Sequence, residues 1–180
     1  MIDYDQIFPE LMIGSYPQSE EDVRQLHESG VTAVLNLQTD ADLDYLGVDW
    51  PALEAAYWKY GIQLRRVPII DHDPIDLREK LPQAVRTLSQ LLAAEHTVYV
   101  HCTAGVGRSP AVVIAYLHWC RGWDLDRAVT YVKQHRPCSP SLEAIRGATG
   151  DLLRETGSKI ISPPASSSTP NVRPTEESTP

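Results

Sequence analysis

The residues best suited to covalent chemistry stand together in Val98-Tyr99-Val100-His101-Cys102-Thr103-Ala104-Gly105-Val106-Gly107-Arg108-Ser109-Pro110. The β-branched and aromatic run Thr97 to Val100 predicts a buried strand, and the apolar run Ala111 to Trp119 predicts a helix. The loop between them, Thr103 to Arg108, therefore faces a helix N-terminus. Backbone N–H groups there lack helical partners, and the helix dipole adds about half a positive charge. Gly105 and Gly107 let the loop curl around a bound group with no Cβ in the way. Thr103, Ala104, Gly105, Val106, Gly107 and Arg108 are thus read as an anion site.

Cys102 opens this loop and Arg108 closes it. Converging N–H donors and a guanidinium lower a thiol below its free pKa of roughly 8.5, so Cys102 is expected as a thiolate at neutral pH. Arg108 can hold two oxygens of a tetrahedral anion and orient phosphorus over the sulfur. The implied reaction is attack on a phosphate monoester, giving a phosphocysteine that water hydrolyses. Ser109 offers its hydroxyl to the departing thiolate, and His101 orients the loop without carrying protons. A lone cysteine is more often apolar packing, but the company of His101, both glycines, Arg108 and Ser109 weighs against that here.

A departing alkoxide needs a proton, so a general acid must stand across phosphorus from Cys102. Asp71, Asp73 and Asp76 compete for the role. Asp76 is expected to cap the helix that follows. Asp71 comes directly after a strand ending at Ile70, near the same sheet edge as Cys102, so it is the first choice and Asp73 the second. Such an acid must start protonated, through desolvation and the bound dianion.

The elements that position these groups alternate. Strands are expected at Leu11–Ile13, Val31–Leu37, Ile62–Ile69 and Thr97–Val100. Helices are expected at Glu20–Glu28 with Ser19 as cap, after Asp49 to about Tyr60, and at Leu77–Ala94 with a kink or late start at Pro82. Others are expected at Ala111–Trp119, Leu125–His135 and Ser141–Glu155. Gln38 to Asp49 is a long acidic connection, expected to hold a small fold of its own or a function. Alternation implies an α/β fold, a central mainly parallel sheet flanked by helices on both faces, with the active loop at the carboxyl end of a central strand.

The chain has 180 residues and a net charge of −8. It is long enough for one domain with a sizeable core, and its charge argues against nucleic acid or an anionic membrane as the main partner. Three cysteines, Cys102, Cys120 and Cys138, are an odd number without metal-type pairing. His27, His96, His118 and His135 show no ligand spacing either, so no metal or cofactor is expected. No run reaches transmembrane length and the start is too acidic for a signal peptide, so a soluble, reducing, cytoplasmic setting is expected. Composition places the domain at residues 1–157 and a disordered Pro/Ser/Thr-rich tail at 158–180. Nothing in the sequence sets the oligomeric state.

His101-Cys102 through Gly105 to Arg108-Ser109 resembles the motif of the cysteine-dependent protein tyrosine phosphatase superfamily, and the short chain resembles its dual-specificity branch. The resemblance implies a protein tyrosine phosphatase-like fold, a metal-free two-step mechanism and an upstream acid. Carried over residue by residue, that acid also falls on Asp71. Three further stretches are similar to the glucan phosphatases typified by laforin and the plant starch phosphatases: Asn36-Leu37-Gln38-Thr39-Asp40 through Asp44-Tyr45-Leu46-Gly47-Val48-Asp49, Asp71-His72-Asp73-Pro74 with Asp76-Leu77-Arg78, and Arg136-Pro137-Cys138 with Ala144-Ile145-Arg146-Gly147-Ala148-Thr149. In that subgroup aromatics form a platform for sugar rings, whose C–H faces suit flat apolar surfaces. Tyr45 is retained, Leu46 and His72 replace aromatics, and Trp50 is a substitute, so the candidate glucan contacts are Tyr45, Trp50 and His72. Ser109 matches ordinary dual-specificity enzymes instead. The implied substrate is phosphorylated glucan, with a phosphoprotein bearing phosphotyrosine, phosphoserine or phosphothreonine as the alternative. A phosphoinositide is disfavoured because Thr103, Ala104 and Val106 bring no extra cation, and a non-catalytic binding module is disfavoured by an intact nucleophile.

Overall fold

The computed structural model describes residues 2–161, with side chains to Thr156. Most of the segment expected to be a disordered tail lies outside the described residues. In chain order the elements are β1 (Tyr4–Phe8), β2 (Leu11–Gly14), α1 (Glu20–Glu28), β3 (Ala33–Asn36), α2 (Asp40–Leu46), α3 (Trp50–Lys59), β4 (Gln63–Arg66), α4 (Pro74–Ala93), β5 (Val98–His101), α5 (Arg108–Trp119), α6 (Leu125–His135) and α7 (Leu142–Ile161). The sheet has five strands in the order β1-β2-β5-β3-β4. β5 is central and parallel to both neighbours, with His101 level with Gly14 on one side and Asn36 on the other. The expected α/β architecture holds, with β1 added antiparallel at one edge.

Alternation along the strands sends side chains to two layers. Leu35, Val98 and Val100 join the core beneath α4, α5 and α6. Val34 and Tyr99 point the other way, into the core shared with α1 and α3. α5 lies in the thick layer and is apolar nearly all round, with every residue from Arg108 to Leu117 buried, so the loop preceding it is fixed from behind.

Several boundaries differ from the sequence reading for identifiable reasons. The acidic connection folds as α2, closed by a capping box in which Thr39 and Asp42 bond each other's backbone, with Gly47 left-handed at its end. Asp73, not Asp76, caps α4: its carboxylate accepts from the N–H groups of Ile75 and Asp76, and Pro74 opens the helix where no N–H is needed. Asp76 instead accepts from Ile70 N–H at 2.7 Å and from Lys80. α4 continues through Pro82. An interior proline costs about 3 kcal/mol, whereas each large buried side chain contributes about 1.5–3 kcal/mol, and α4 buries Leu77, Leu81, Val85, Leu88 and Leu91. β1 was missed because only Ile7 of its five residues is buried. α7 runs on to Ile161, past the boundary that composition set at residue 157. No helix among the described residues is long and apolar enough to cross a membrane.

Candidate active site

β5 ends at His101 and α5 begins at Arg108, so Cys102 to Gly107 form the turn between the central strand and a buried helix. The carbonyls of this loop are all held by groups outside it. Leu37 N–H donates to His101 O at 3.0 Å, and Tyr16 N–H donates to Thr103 O at 3.0 Å. The His101 ring donates from Nδ1 to Cys102 O at 3.0 Å. Arg136 donates from Nη2 to Ala104 O at 3.0 Å and from Nε to Gly105 O at 2.7 Å. Ser139 N–H donates to Val106 O at 2.9 Å. No described peptide bond is cis, and in a trans peptide the N–H points opposite to the C=O. Carbonyls held outward from Cys102 to Val106 therefore turn the N–H groups of Thr103, Ala104, Gly105, Val106 and Gly107 toward the loop's interior, which makes a nest for an oxyanion.

Close packing behind the loop demands glycine at two positions. Gly105 has φ +69°, and a Cβ there would lie 2.5 Å from the carbonyl oxygen of Gly14. A Cβ on Gly14 would lie 2.1 Å from the Tyr99 hydroxyl. Gly105 was read as freeing space for the anion, but its lack of a side chain serves the loop's back instead.

Cys102 is 3% exposed and its sulfur lies 3.4 Å from the Ser109 hydroxyl. Burial pushes the thiol up, but the Ser109 hydroxyl, the N–H groups of Ser109 and Gly105 and the Arg108 charge outweigh it, leaving Cys102 below its ordinary value. His101 is driven the other way: burial lowers its pKa to about 4, aided by Arg108 and Arg66. It is a neutral imidazole with its proton on Nδ1, since a carbonyl can only accept. Because the unfolded chain protonates near 6.5 and the fold only near 4, stability should fall as pH drops through that window, by on the order of 3 kcal/mol. Urea unfolding of wild type and His101→Gln at stepped pH tests this. The variant should show a flatter slope between pH 6.5 and 4, and parallel slopes would refute it.

Arg108 is also 3% exposed. Its Nη1 donates to Asp42 Oδ2 at 2.8 Å and to Ile69 O at 2.7 Å, and Nη2 donates to Thr103 Oγ1 at 3.1 Å. Nε has no hydrogen-bond partner, although Asp71 Oδ1 stands 3.2 Å away in poor alignment. With Nη1 committed and one Nη2 hydrogen on Thr103, Nε–H and the second Nη2 hydrogen are what the guanidinium has left for two oxygens of a phosphate. Asp42, which also caps α2, lies lowered in pKa: burial raises it, and the bonds from Arg108 and Thr39 prevail. Sequence reasoning missed Asp42; the one local signal, Thr39-x-x-Asp42, is that of a helix cap and says nothing of Arg108.

Asp71 is 39% exposed at the tip of the β4–α4 connection, and its Oδ1 accepts from His72 N–H at 3.1 Å. His72 has φ 56°, a left-handed conformation that turns the chain sharply at this point. The other two carboxylates are committed to the start of α4, so Asp71 is the one left beside Arg108. A pocket of about 570 Å³ is lined by Cys102, Arg108, Asp71, His72, Val106 and Ile70 among others. Of the three candidate glucan contacts it takes in His72 alone. Tyr45 stands 91% exposed on α2, in the helix that supplies Asp42. Trp50 does not stand free: the Arg66 guanidinium lies over its ring, 4.5 Å from the centroid, while also bonding Gln38 O and Asp40. All three cysteines are free.

The family described as Dual specificity phosphatase, catalytic domain, matches residues 11–146. Phosphoglucan phosphatase DSP4, amyloplastic, of Castanea sativa is 40% identical over 162 residues, covering 89% of this chain and 43% of that protein. Laforin of Mus musculus is 38% identical over 145 residues, covering 74% of this chain and 44% of that protein. The chain thus spans less than half the length of these relatives. Among solved structures, Cydia pomonella PTP-2 phosphatase superposes with a TM-score of 0.67 at 27% identity, over 83% of this chain and 90% of that one.

Proposed function

The chain belongs to the dual specificity phosphatase catalytic-domain family, and on that premise we propose that it hydrolyses phosphate monoesters through a phosphocysteine on Cys102, with phosphorylated glucan as the substrate class. The observation that carries the chemistry is the loop whose carbonyls all face outward, leaving its N–H groups and the Nε–Nη2 edge of Arg108 to converge in front of a buried, acidified thiol.

In this reading the phosphate oxygens take the loop N–H groups and Arg108, which Asp42 holds in register. The Cys102 thiolate attacks phosphorus as the P–O bond to the sugar or side-chain oxygen breaks, and Asp71 gives its proton to that oxygen. Asp71 then takes a proton from water as the water oxygen attacks phosphorus and the P–S bond breaks. The Ser109 hydroxyl, 3.4 Å from the sulfur, donates to the returning thiolate. Loop N–H groups carry the charge that builds on the equatorial oxygens. His101 stays neutral and holds the loop by its hydrogen bond to the Cys102 carbonyl.

The choice of glucan is supported by the named activity of the Castanea sativa relative, aligned over most of the chain, by His72 in the pocket lining, and by Tyr45 exposed on α2, the helix that supplies Asp42. Trp50 is the weakest of the three candidates, with Arg66 over its ring and no place in the pocket lining. The second reading, a protein phosphatase, is favoured by Ser109 and by exposed Ile70 and Val106 at the pocket. We assign this activity to the domain through α7, a little past residue 157. The setting proposed is a reducing compartment, cytoplasmic or plastid, since the Castanea relative is named amyloplastic.

Phosphate release from phosphorylated glucan and from a phosphopeptide panel, side by side, tests the substrate class. Glucan should be preferred by kcat/KM, and Tyr45→Ala should cost glucan about tenfold while leaving a small aryl phosphate unchanged. Faster release from peptides, with Tyr45→Ala silent, would assign the site to phosphoproteins.

A further inference from the structure

Arg136 caps the end of α6 and is 3% exposed, and the hydrogen-bond partners of its guanidinium all lie far away in sequence. Beyond the carbonyls of Ala104 and Gly105, its Nη1 donates to Asp5 Oδ2 at 2.8 Å and its Nη2 to Asp3 Oδ2 at 2.9 Å. One guanidinium therefore joins the β1 edge of the sheet to the middle of the phosphate loop. The same corner is tied by backbone: Ser15 N–H donates to Asp3 O at 2.8 Å, and Tyr16 N–H to Thr103 O at 3.0 Å. Gly105 meets Gly14 here with no room for a Cβ.

We infer that Arg136, held by Asp3 and Asp5 of the N-terminal segment, is the positioning residue that fixes which way the Ala104–Gly105 and Gly105–Val106 peptides face. Those two peptides carry the N–H groups of Gly105 and Val106. With their carbonyls clasped from behind, the N–H groups are aimed at the anion, and Gly105 N–H also reaches the Cys102 sulfur. Without the clasp, no other described residue bonds the two carbonyls, and rotation of either peptide turns an acceptor toward thiolate and phosphate. Asp3 and Asp5 balance a guanidinium that would otherwise be buried without a counter-charge. Asp3 is well exposed, so it is the weaker of the two partners. Both lie before residue 11, where the family match begins, so the working catalytic unit reaches further toward the N-terminus than that match.

This inference rests on the reading of Cys102 and its loop as the phosphate site. The test measures the pH midpoint of Cys102 alkylation by iodoacetamide, inhibition by tungstate, and the melting temperature, in wild type, Arg136→Met, Arg136→Lys and the double variant Asp3→Asn/Asp5→Asn. Arg136→Met should raise the alkylation midpoint and weaken tungstate inhibition by about ten- to a hundredfold, the range for hydrogen bonds from a charged donor. Arg136→Lys should recover little, since one ammonium cannot span two carbonyls and two carboxylates. The double variant removes no buried bulk and stays folded if Arg136→Met does not. It should shift both readouts the same way, about threefold or more; its melting temperature should fall, since the buried guanidinium keeps acceptors in the asparagine oxygens but loses its counter-charges, while a single cooperative melt shows the fold retained. A low wild-type midpoint that stays unmoved in the folded variants overturns the assignment of Arg136. A wild-type midpoint at the ordinary thiol value overturns the reading of the site itself, and this inference with it.

Discussion

Cys102→Ser should abolish turnover of every phosphate monoester while leaving oxyanion binding in place. A serine hydroxyl fits the space of the thiol, but nothing in the loop lowers its far higher pKa enough to make an alkoxide at neutral pH. The loop N–H groups and Arg108 remain. Losing an essential nucleophile costs about 10⁴-fold or more in kcat, so the variant should fall to background in phosphate release yet still bind tungstate and phosphorylated substrate. Turnover within a hundredfold of wild type would remove Cys102 from the mechanism.

The second large effect is expected at Asp71. Asp71→Asn should lower kcat by about 10²–10⁴-fold on alkyl or sugar phosphates, the range for a general acid. For an activated aryl phosphate, whose leaving group needs no proton, the loss should be several-fold. Asp73→Asn is the control: an asparagine still caps α4, so its rate should stay within a few-fold of wild type. Equal losses from Asp71→Asn on good and poor leaving groups would assign the acid elsewhere. If Asp73→Asn alone shows the split between leaving groups, the assignment moves to Asp73.

The parts of this site that were legible in the sequence are the local ones. Cys102 to Ser109 declare themselves because a strand, a glycine loop and a helix N-terminus follow one another without a break, and each step has a backbone reason. Asp71 was legible although β4 stops at Arg66 and not at Ile70 as expected, because the chain stays extended past it, with Ile69 N–H donating to Leu37 O. The parts that were not legible depend on partners far apart in the chain. Asp42 and Arg108 are 66 positions apart, and Arg136 and Asp3 are 133 apart. No periodicity or cap rule joins such residues; their register is set by the sheet, which places β2, β5 and β3 side by side. Asp42 lay in what read only as a long acidic connection; the fold makes it part of the cap of α2, and its Oδ2 also serves Arg108. Trp50 looked like a free aromatic until the fold laid Arg66 across it. The swap between Asp73 and Asp76 at the head of α4 has a simpler cause. A cap was expected next to the first apolar residue, Leu77, whereas Pro74 lets the helix begin a turn earlier.

Trapping the covalent intermediate decides whether Cys102 is the nucleophile. Enzyme mixed with a rapidly cleaved aryl phosphate and quenched within one turnover should carry the mass of one phosphoryl group on the peptide containing Cys102, and the label should vanish in Cys102→Ser. Phosphoryl found on another residue, or on none while wild-type turnover proceeds, would contradict it.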